Sequence, residues 1–519
     1  MTPVDRPTGH FATSVLLVAV TVVSLGAWIP FLGRDALAAL FHDDAFYYFQ
    51  VARNAASGNG LTFDGIHATN GFHFLWLVIL VPVFAFVSGD LAPLRVIALL
   101  ETALCAGAAV VLYRTLCRWV DRRNARLVAL LLIAMPMARV ILRSGLESSL
   151  MLFLLLCVWR SWSGLRQDED GTAGHWLWLG GLCLLAMLAR LEAALLLPVI
   201  VLFEWQRLRQ TPRCLVALAL LPTLGLVGYL AWNQLVFDSV LPISGAVKAE
   251  WAGNAPFGQR LRALAEFPWV GSAAVLRVTG ATRIAALGAG GIALYGGLLA
   301  AAVSIVWLRR RDATPRLTQP GVVWLLVAGA VIIVADMGVV IWMPAWYQGP
   351  ILLATSLVAG LLVSPRMTRW LIPLVIALAL VRVPTTALNL KEPGRFYPAQ
   401  RIAAARWLAT NTPEGSRIGS WNAGMLGYFS HRHVVNLDGL VNDKRYLEQV
   451  IRGNDLETYL AETSIDFLAD QTCGDRPTLL PYISRTGSQH LEERLTLEEA
   501  FGHGPARCPG YSVWRLQPR

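Results

Sequence analysis

The sequence predicts a polytopic α-helical membrane protein carrying a small C-terminal α/β domain. Three observations predict it. Apolar runs recur from about residue 12 to residue 390. The 519 residues are 55% hydrophobic and only 15% charged, with a mean hydropathy of +0.52, a balance that soluble domains rarely show. After Leu390 the composition turns polar and no further run follows. A membrane domain over residues 1–390 and a soluble domain over 391–519 are therefore expected.

The apolar runs lie near 12–32, 72–88, 92–116, 125–142, 146–162, 175–189, 193–205, 214–236, 282–307, 320–343, 348–363 and 368–390. The first has no convincing small-residue cleavage site, so it reads as a retained span. Four connections are rich in arginine: RWVDRRNAR (118–126), WQRLRQTPR (205–213), RRRDATPR (309–316) and PRMTR (365–369). Such loops favour the cytoplasmic side. With the N-terminus inside, all four fall inside only if 72–88 does not cross. That run is short and opens Gly-Phe-His, so it reads as an interfacial or re-entrant segment. The result is about eleven spans, with the C-terminal domain outside. The net charge of +10, from 44 basic and 34 acidic residues, is thus a topology signal. Without a basic tail or motif it gives no case for nucleic acid.

Within 391–519, YPAQRIAAARWLATNTPEGSRIGSW reads as helix, Pro-Glu-Gly turn and strand. VVNLDGL and IDFLAD read as strands, and YLEQVIRG and DLETYLAET as helices, an alternation that suggests a small α/β domain. Of seven cysteines, five lie in or beside apolar runs. Cys473 and Cys508 lie in the polar part, where an external location would suit a disulfide. There is no CxxC and no metal-ligand spacing.

The topology leaves 33–91, 143–147, 190–192, 237–281 and 344–348 on the outer face. These loops hold nearly every polar residue that stands out. FHDDAFYYFQVARNAASGNG (41–60) places Asp43 and Asp44 at the head of an amphipathic helix. One aspartate suits an N-cap, and the other remains for a general base or a metal ligand. The aromatic side of this helix is expected to rest on the bilayer. TFDGIHATNGFHFLW brings His67, Asn70 and His73 into a turn near the headgroups, and RSGLESSL brings Arg143 and Glu147 to a helix tip. Arg190 and Glu192 interrupt one long apolar stretch, where ionisable groups face a cavity or pair. Lys248, in LPISGAVKAEW, reads as solvated or as a clamp for an anionic headgroup. A cationic, carboxylate-lined outer cavity suits a lipid that carries a phosphate and a polar head.

DDAFYYFQVARN…GNGLTFDGIHATNGFHFLW, the SGLE tip, the LARLE stretch and the PISGAVK loop together resemble the GT-C superfamily of membrane glycosyltransferases. The resemblance is closest to its bacterial branch of protein mannosyltransferase-like, aminoarabinose transferase and arabinofuranosyltransferase enzymes. VVNLDGLVND is similar to the outer soluble domain of that branch. The resemblance implies a GT-C fold with interfacial helices in the first outer loop, in a bacterial inner membrane. It also implies an inverting transfer of one sugar from a polyprenyl-phosphate donor to a glycan, lipid or protein acceptor. Asp43 and Asp44 match the family's acidic pair and Glu147 its second acidic residue, the catalytic set. Arg190, Lys248 and Arg143 are candidates for the donor phosphate, and Tyr47, Asn70, His73 and Glu192 for acceptor or sugar. Glu147 stands where relatives carry an aspartate motif, which leaves a divalent cation (Mg or Mn) open. A flippase for lipid-linked glycans and a block-transferring oligosaccharide ligase are the alternatives.

Overall fold

The computed structural model describes residues 7–167, 171–253, 314–339, 344–389, 397–473, 476–477, 491–501 and 510–517. The expected span at 282–307 and Cys508, with its expected pairing to Cys473, lie outside the described residues. In chain order the longer helices are α1 (Pro7–Thr21), α2 (Asp43–Ala56), α3 (Phe74–Phe86), α4 (Leu91–Leu116), α5 (Arg122–Ala134), α6 (Ser148–Gln167), α7 (Ala173–Ala189), α8 (Leu196–Leu208), α9 (Pro212–Phe237), α10 (Ile243–Gly253), α11 (Pro320–Val339), α12 (Gly349–Leu362) and α13 (Pro365–Asn389). A helix-and-sheet segment follows: α14 (Tyr397–Asn411), β1 (Arg417–Ser420), α15 (Gly424–Ser430), β2 (His433–Asn436), α16 (Leu456–Glu462), β3 (Phe467–Cys473), β4 (Arg476–Pro477), β5 (Leu495–Phe501) and β6 (Gly510–Leu516).

This is a helical membrane protein. Four stretches among the described residues are long and apolar enough to cross a bilayer: Gly9–Phe31, Leu91–Leu116, Ser148–Gln167 and Pro212–Phe237. Val216, Leu220, Leu224 and Val227 form an exposed apolar stripe along α9, which a hydrocarbon solvent would cover. Helix α3 has 13 residues. At 1.5 Å per residue it reaches only about 20 Å, short of the ~30 Å hydrocarbon core.

The chain divides into two compact units. The first comprises Met1–Pro30, Ala98–Leu226 and Phe257–Thr386. Close helix packing holds it together. Trp162 stacks between Trp119 and Trp324, with ring centroids 6.2 and 5.2 Å apart. A Cβ at Gly321 would fall 2.3 Å from Trp119, so glycine lets α11 approach that ring. Asn124 on α5 donates to the Gly360 and Val363 carbonyls at 2.6 and 2.7 Å, satisfying the open C-terminal end of α12.

The second unit comprises Phe31–Ile97, Val227–Pro256 and Ala387–Arg519. Its sheet has the order β2-β1-β3-β6-β5, with β4 also on β3. β2, β1 and β3 run parallel, and β6 and β5 continue antiparallel. The expected helix, turn and strand over 397–421 form as α14 and β1, and the VVNLDGL and IDFLAD segments supply β2 and β3. The carboxyl end of β1 is fixed by Asp470, midway along β3. Its carboxylate accepts from the Trp421 and Asn422 backbone N–H groups and from the Asn422 side chain, at 2.7, 3.0 and 2.8 Å.

The aromatic face of α2 does not lie on the bilayer as expected. Phe46 and Phe49 are fully buried and pack edge-on against Tyr428 of α15, with centroids 5.4 and 6.3 Å apart. Arg53 crosses the same ring at 3.7 Å and donates to the Tyr428 carbonyl at 2.9 Å. An aromatic stripe at helical spacing buries equally well in protein or in lipid, and α15 supplies the partner.

The approach of α2 to α15 requires a glycine. A Cβ at Gly424 would sit 2.0 Å from the Asp43 carbonyl oxygen. Gly424→Ala is expected to cost about 1–3 kcal/mol of stability through overpacking. Gly415→Ala, where a Cβ meets nothing within 4 Å, should leave the unfolding temperature almost unchanged. Thermal unfolding of the two purified variants checks this.

Candidate functional site

In the second unit the site is built around the first turn of α2. His42 occupies the N-cap position in extended backbone and makes no side-chain cap. Asp43 and Asp44 follow in the first turn, where the helix dipole favours negative charge. The end of the helix follows the expected pattern: Gly58 has φ +80°, and the Asn59 N–H returns to the Asn54 carbonyl at 2.8 Å.

The two aspartates differ in their surroundings. Asp43 caps a helix, but not its own. α15 starts after Ala423, which has no capping side chain. The Asp43 carboxylate accepts instead from the Gly424 and Met425 N–H groups, at 3.1 and 2.9 Å. Arg401 of α14, itself buried, ion-pairs with the same carboxylate at 2.9 Å. Asp44 is half-buried on the next position. One helical turn on, the Tyr47 hydroxyl donates to Asp438 at 2.8 Å. Burial first, then the charges of Asp438, Asp43 and Asp44, push the Tyr47 phenol well above its usual pKa, so it stays a donor.

Asp438 lies in the turn after β2. Its second oxygen accepts the Leu440 N–H at 2.8 Å. The residue keeps some exposed surface, but its carboxyl is enclosed. Burial pushes it up to about 7, the nearby Asp44 charge acts in the same sense, and hydrogen bonds from Leu440 and Tyr47 oppose.

Asn70, His73 and His67 of this unit take part in local hydrogen bonding. Asn70 is buried. Its amide donates to Asn233 at 3.0 Å and its carbonyl accepts the Ile243 N–H at 2.9 Å, pinning the start of α10. His73 precedes α3, and its backbone N–H donates to the Tyr48 hydroxyl at 3.1 Å. Asp64 closes an Asx turn onto the Ile66 and His67 N–H groups at 2.8 Å and holds the His67 ring at 2.5 Å. That bond raises the His67 pKa, against a lowering by burial. Lys248 is half-buried on α10.

The first unit gathers Glu147, Arg190 and Glu192. Arg190 is buried, and its guanidinium meets three carboxylates. Nη1 bonds Glu147 at 3.0 Å, Nη2 bonds Asp336 of α11 at 2.9 Å, and Nε bonds Glu192. The Tyr347 ring covers its face at 4.1 Å. A pocket beside it is lined by Ser148, Arg190, Asp336, Trp346 and Tyr347 with apolar residues of α6. Arg143 is also buried in this unit. It donates to the Leu25 carbonyl at 2.7 Å and stacks on Trp28 at 4.8 Å. Its Nε and Nη2 have no hydrogen-bond partner among the described residues.

The sequence reading missed Asp336 and Asp438. The signal for Asp336 was available: a lone carboxylate inside the apolar run at 320–343. For Asp438 the signal was an Asp-Gly turn at the end of an apolar strand, which is common in purely structural turns.

The donor sets do not fit a divalent cation. Among the described residues no three His, Cys, Asp or Glu side chains converge to hold one. The Arg190 guanidinium already fills the centre of the acidic cluster, and both Asp43 oxygens face N–H donors.

The C-terminal segment, residues 394–513, matches a family model described as a domain of unknown function, DUF8728. No curated protein matches the sequence. Solved structures do match in fold. ArnT from Cupriavidus metallidurans bound to undecaprenyl phosphate superposes with a TM-score of 0.56 at 13% identity, over 99% of this chain and 100% of ArnT. Its apo state gives 0.53 over the same shares. The oligosaccharyltransferase AglB from Archaeoglobus fulgidus, in complex with an inhibitory peptide and a dolichol-phosphate, gives 0.52 at 13% identity, over 97% of this chain and 74% of AglB. Over 99% of its length the chain shares its fold with that ArnT, and over 97% with AglB.

Proposed function

We propose that the protein is an inverting glycosyltransferase. It moves a single sugar from a polyprenyl-phosphate donor to an acceptor hydroxyl of a glycan, lipid or protein, outside the bacterial inner membrane. The observation that carries this reading is a fold shared along the whole length with an ArnT that holds undecaprenyl phosphate. The acidic opening of α2 adds the chemistry such a transfer needs.

The two aspartates then take different roles. Asp43 is the structural member, because its oxygens already accept two backbone N–H groups and Arg401. Asp44 is the general base. It takes the proton of the acceptor hydroxyl as that oxygen attacks the anomeric carbon. The bond from this carbon to the phosphate oxygen breaks, its electrons stay on the phosphate, and polyprenyl phosphate leaves. Lys248 is assigned to the donor phosphate, whose growing charge a cation stabilises. Arg190 is balanced by carboxylates, so we assign it to organising Glu147, Glu192 and Asp336.

Incubation of the purified protein with polyprenyl-phosphate sugars tests this, with released polyprenyl phosphate as the readout. Asp44→Asn is expected to lower release by at least about 10²-fold with an unchanged unfolding temperature. Asp43→Asn should instead lower the unfolding temperature, since a helix cap and a buried ion pair weaken together. Full activity of Asp44→Asn rejects the base assignment. Carrier translocation without release supports the flippase, and consumption of multi-sugar donors alone supports the ligase. Arg190→Ala is expected to destabilise the fold by about 3–5 kcal/mol, because it leaves three carboxylates without their shared cation; thermal unfolding measures this.

A further inference from the structure

The small sheet of the second unit turns the carboxyl ends of its parallel strands toward one set of loops. In open sheets with parallel strands these ends are where ligands bind. Trp421 and Asn422 follow β1, Asp438 follows β2, and Asp470 lies midway along β3 beside the end of β1. Asp470 is consumed in fixing the loop after β1. Asp438 instead meets the first turns of α2 through Tyr47. The turn that carries it is tightly held. Gly439 has φ +84°, and a Cβ there would meet Tyr446 and Val247 at 3.1 and 3.2 Å. A Cβ at Gly71 would fall 1.9 Å from the Leu440 carbonyl oxygen.

We propose that Asp438 is a second carboxylate of the site opened by α2, a positioning residue that tunes Asp44 as the base of the transfer and does so through charge and through Tyr47. The inference rests on the glycosyltransferase reading. Ionised Asp438 places a like charge near Asp44 and strengthens its hold on the acceptor proton. Protonated Asp438 removes that help.

The groups around Asp438 favour a titration near neutrality. From α2 come Tyr47, a fixed donor, and the Asp44 charge, with Asp43 neutralised by Arg401. From its own loop come the Leu440 N–H and Asn436. The Tyr446 hydroxyl is directed to the Leu437 carbonyl. α10, which packs Val247 on the turn, carries Lys248 and also Glu250, the latter paired with Arg452 at 2.7 Å. Burial dominates this balance and holds the carboxyl at about 7.

The unfolded carboxyl ionises near 3.8, whereas the folded one keeps its proton to about 7. Across that window the folded state binds more protons, so stability falls as pH rises and levels off above about 7.

The test measures kcat/KM from pH 5 to 9 for the wild type, Asp438→Asn and Asp438→Glu, together with unfolding temperature over pH 4 to 8. The wild type is expected to rise severalfold through an inflection near 7. Asp438→Asn should lose that inflection and stay near the wild type's low-pH level across the range, and Asp438→Glu should restore the inflection at a shifted pH. Asp438→Asn should also flatten the fall in unfolding temperature between about pH 4 and 7. A wild-type inflection retained in Asp438→Asn, or absent from the wild type, overturns the proposal. If no sugar donor is turned over, the functional reading fails. The unfolding series then judges Asp438 alone, and equal pH slopes in wild type and Asp438→Asn overturn its titration.

Discussion

The second unit depends on one carboxylate, Asp43, serving a helix that cannot cap itself. α15 starts from Ala423 and Gly424, which offer no side-chain acceptor for its leading N–H groups. Asp43 supplies both oxygens from 381 positions upstream, and Arg401 balances its charge. Orphan N–H groups at a buried helix start are costly, and so is a buried guanidinium, and one acidic group relieves both. The glycine at 424 is what lets the two backbones come close enough. Once α2 is locked in this way, its aromatic face covers α15 and its next turn aims Tyr47 at Asp438.

The same rule governs the first unit with the charges reversed. Arg190 sits in an apolar helical setting, and a buried cation persists only where acceptors surround it. Glu192 lies two residues on, Glu147 comes from 43 residues upstream and Asp336 from α11. Tyr347 closes the guanidinium face. A residue that looks in isolation like an anion-binding arginine is therefore the hub of an acidic cluster.

Much of the frame was legible in the residues. The apolar runs located the long helices because burial in lipid needs length and hydrophobicity, both local properties. The helix, turn and strand at 397–421 and the strands at VVNLDGL and IDFLAD follow from local periodicity and turn residues. The acidic pair at 43–44 was visible as chemistry. Its division of labour was not, since that depends on which distant donors reach each oxygen. β5 and β6 escaped for a related reason: LTLEEAF alternates weakly and gains its strand from pairing with β6 along the edge of the sheet.

The sequence by itself determined a helical membrane protein with a polar α/β tail and a conspicuous acidic helix start, because composition and periodicity act over a few turns of chain. The tertiary structure decided that the aromatics of that helix bury in protein instead of lipid, that Asp43 is a cap, that Asp336 completes the Arg190 cluster and that Asp438 stands beside Tyr47. Each of these is a pairing of buried charge or surface between remote segments, and such pairings exist only once the chain has folded.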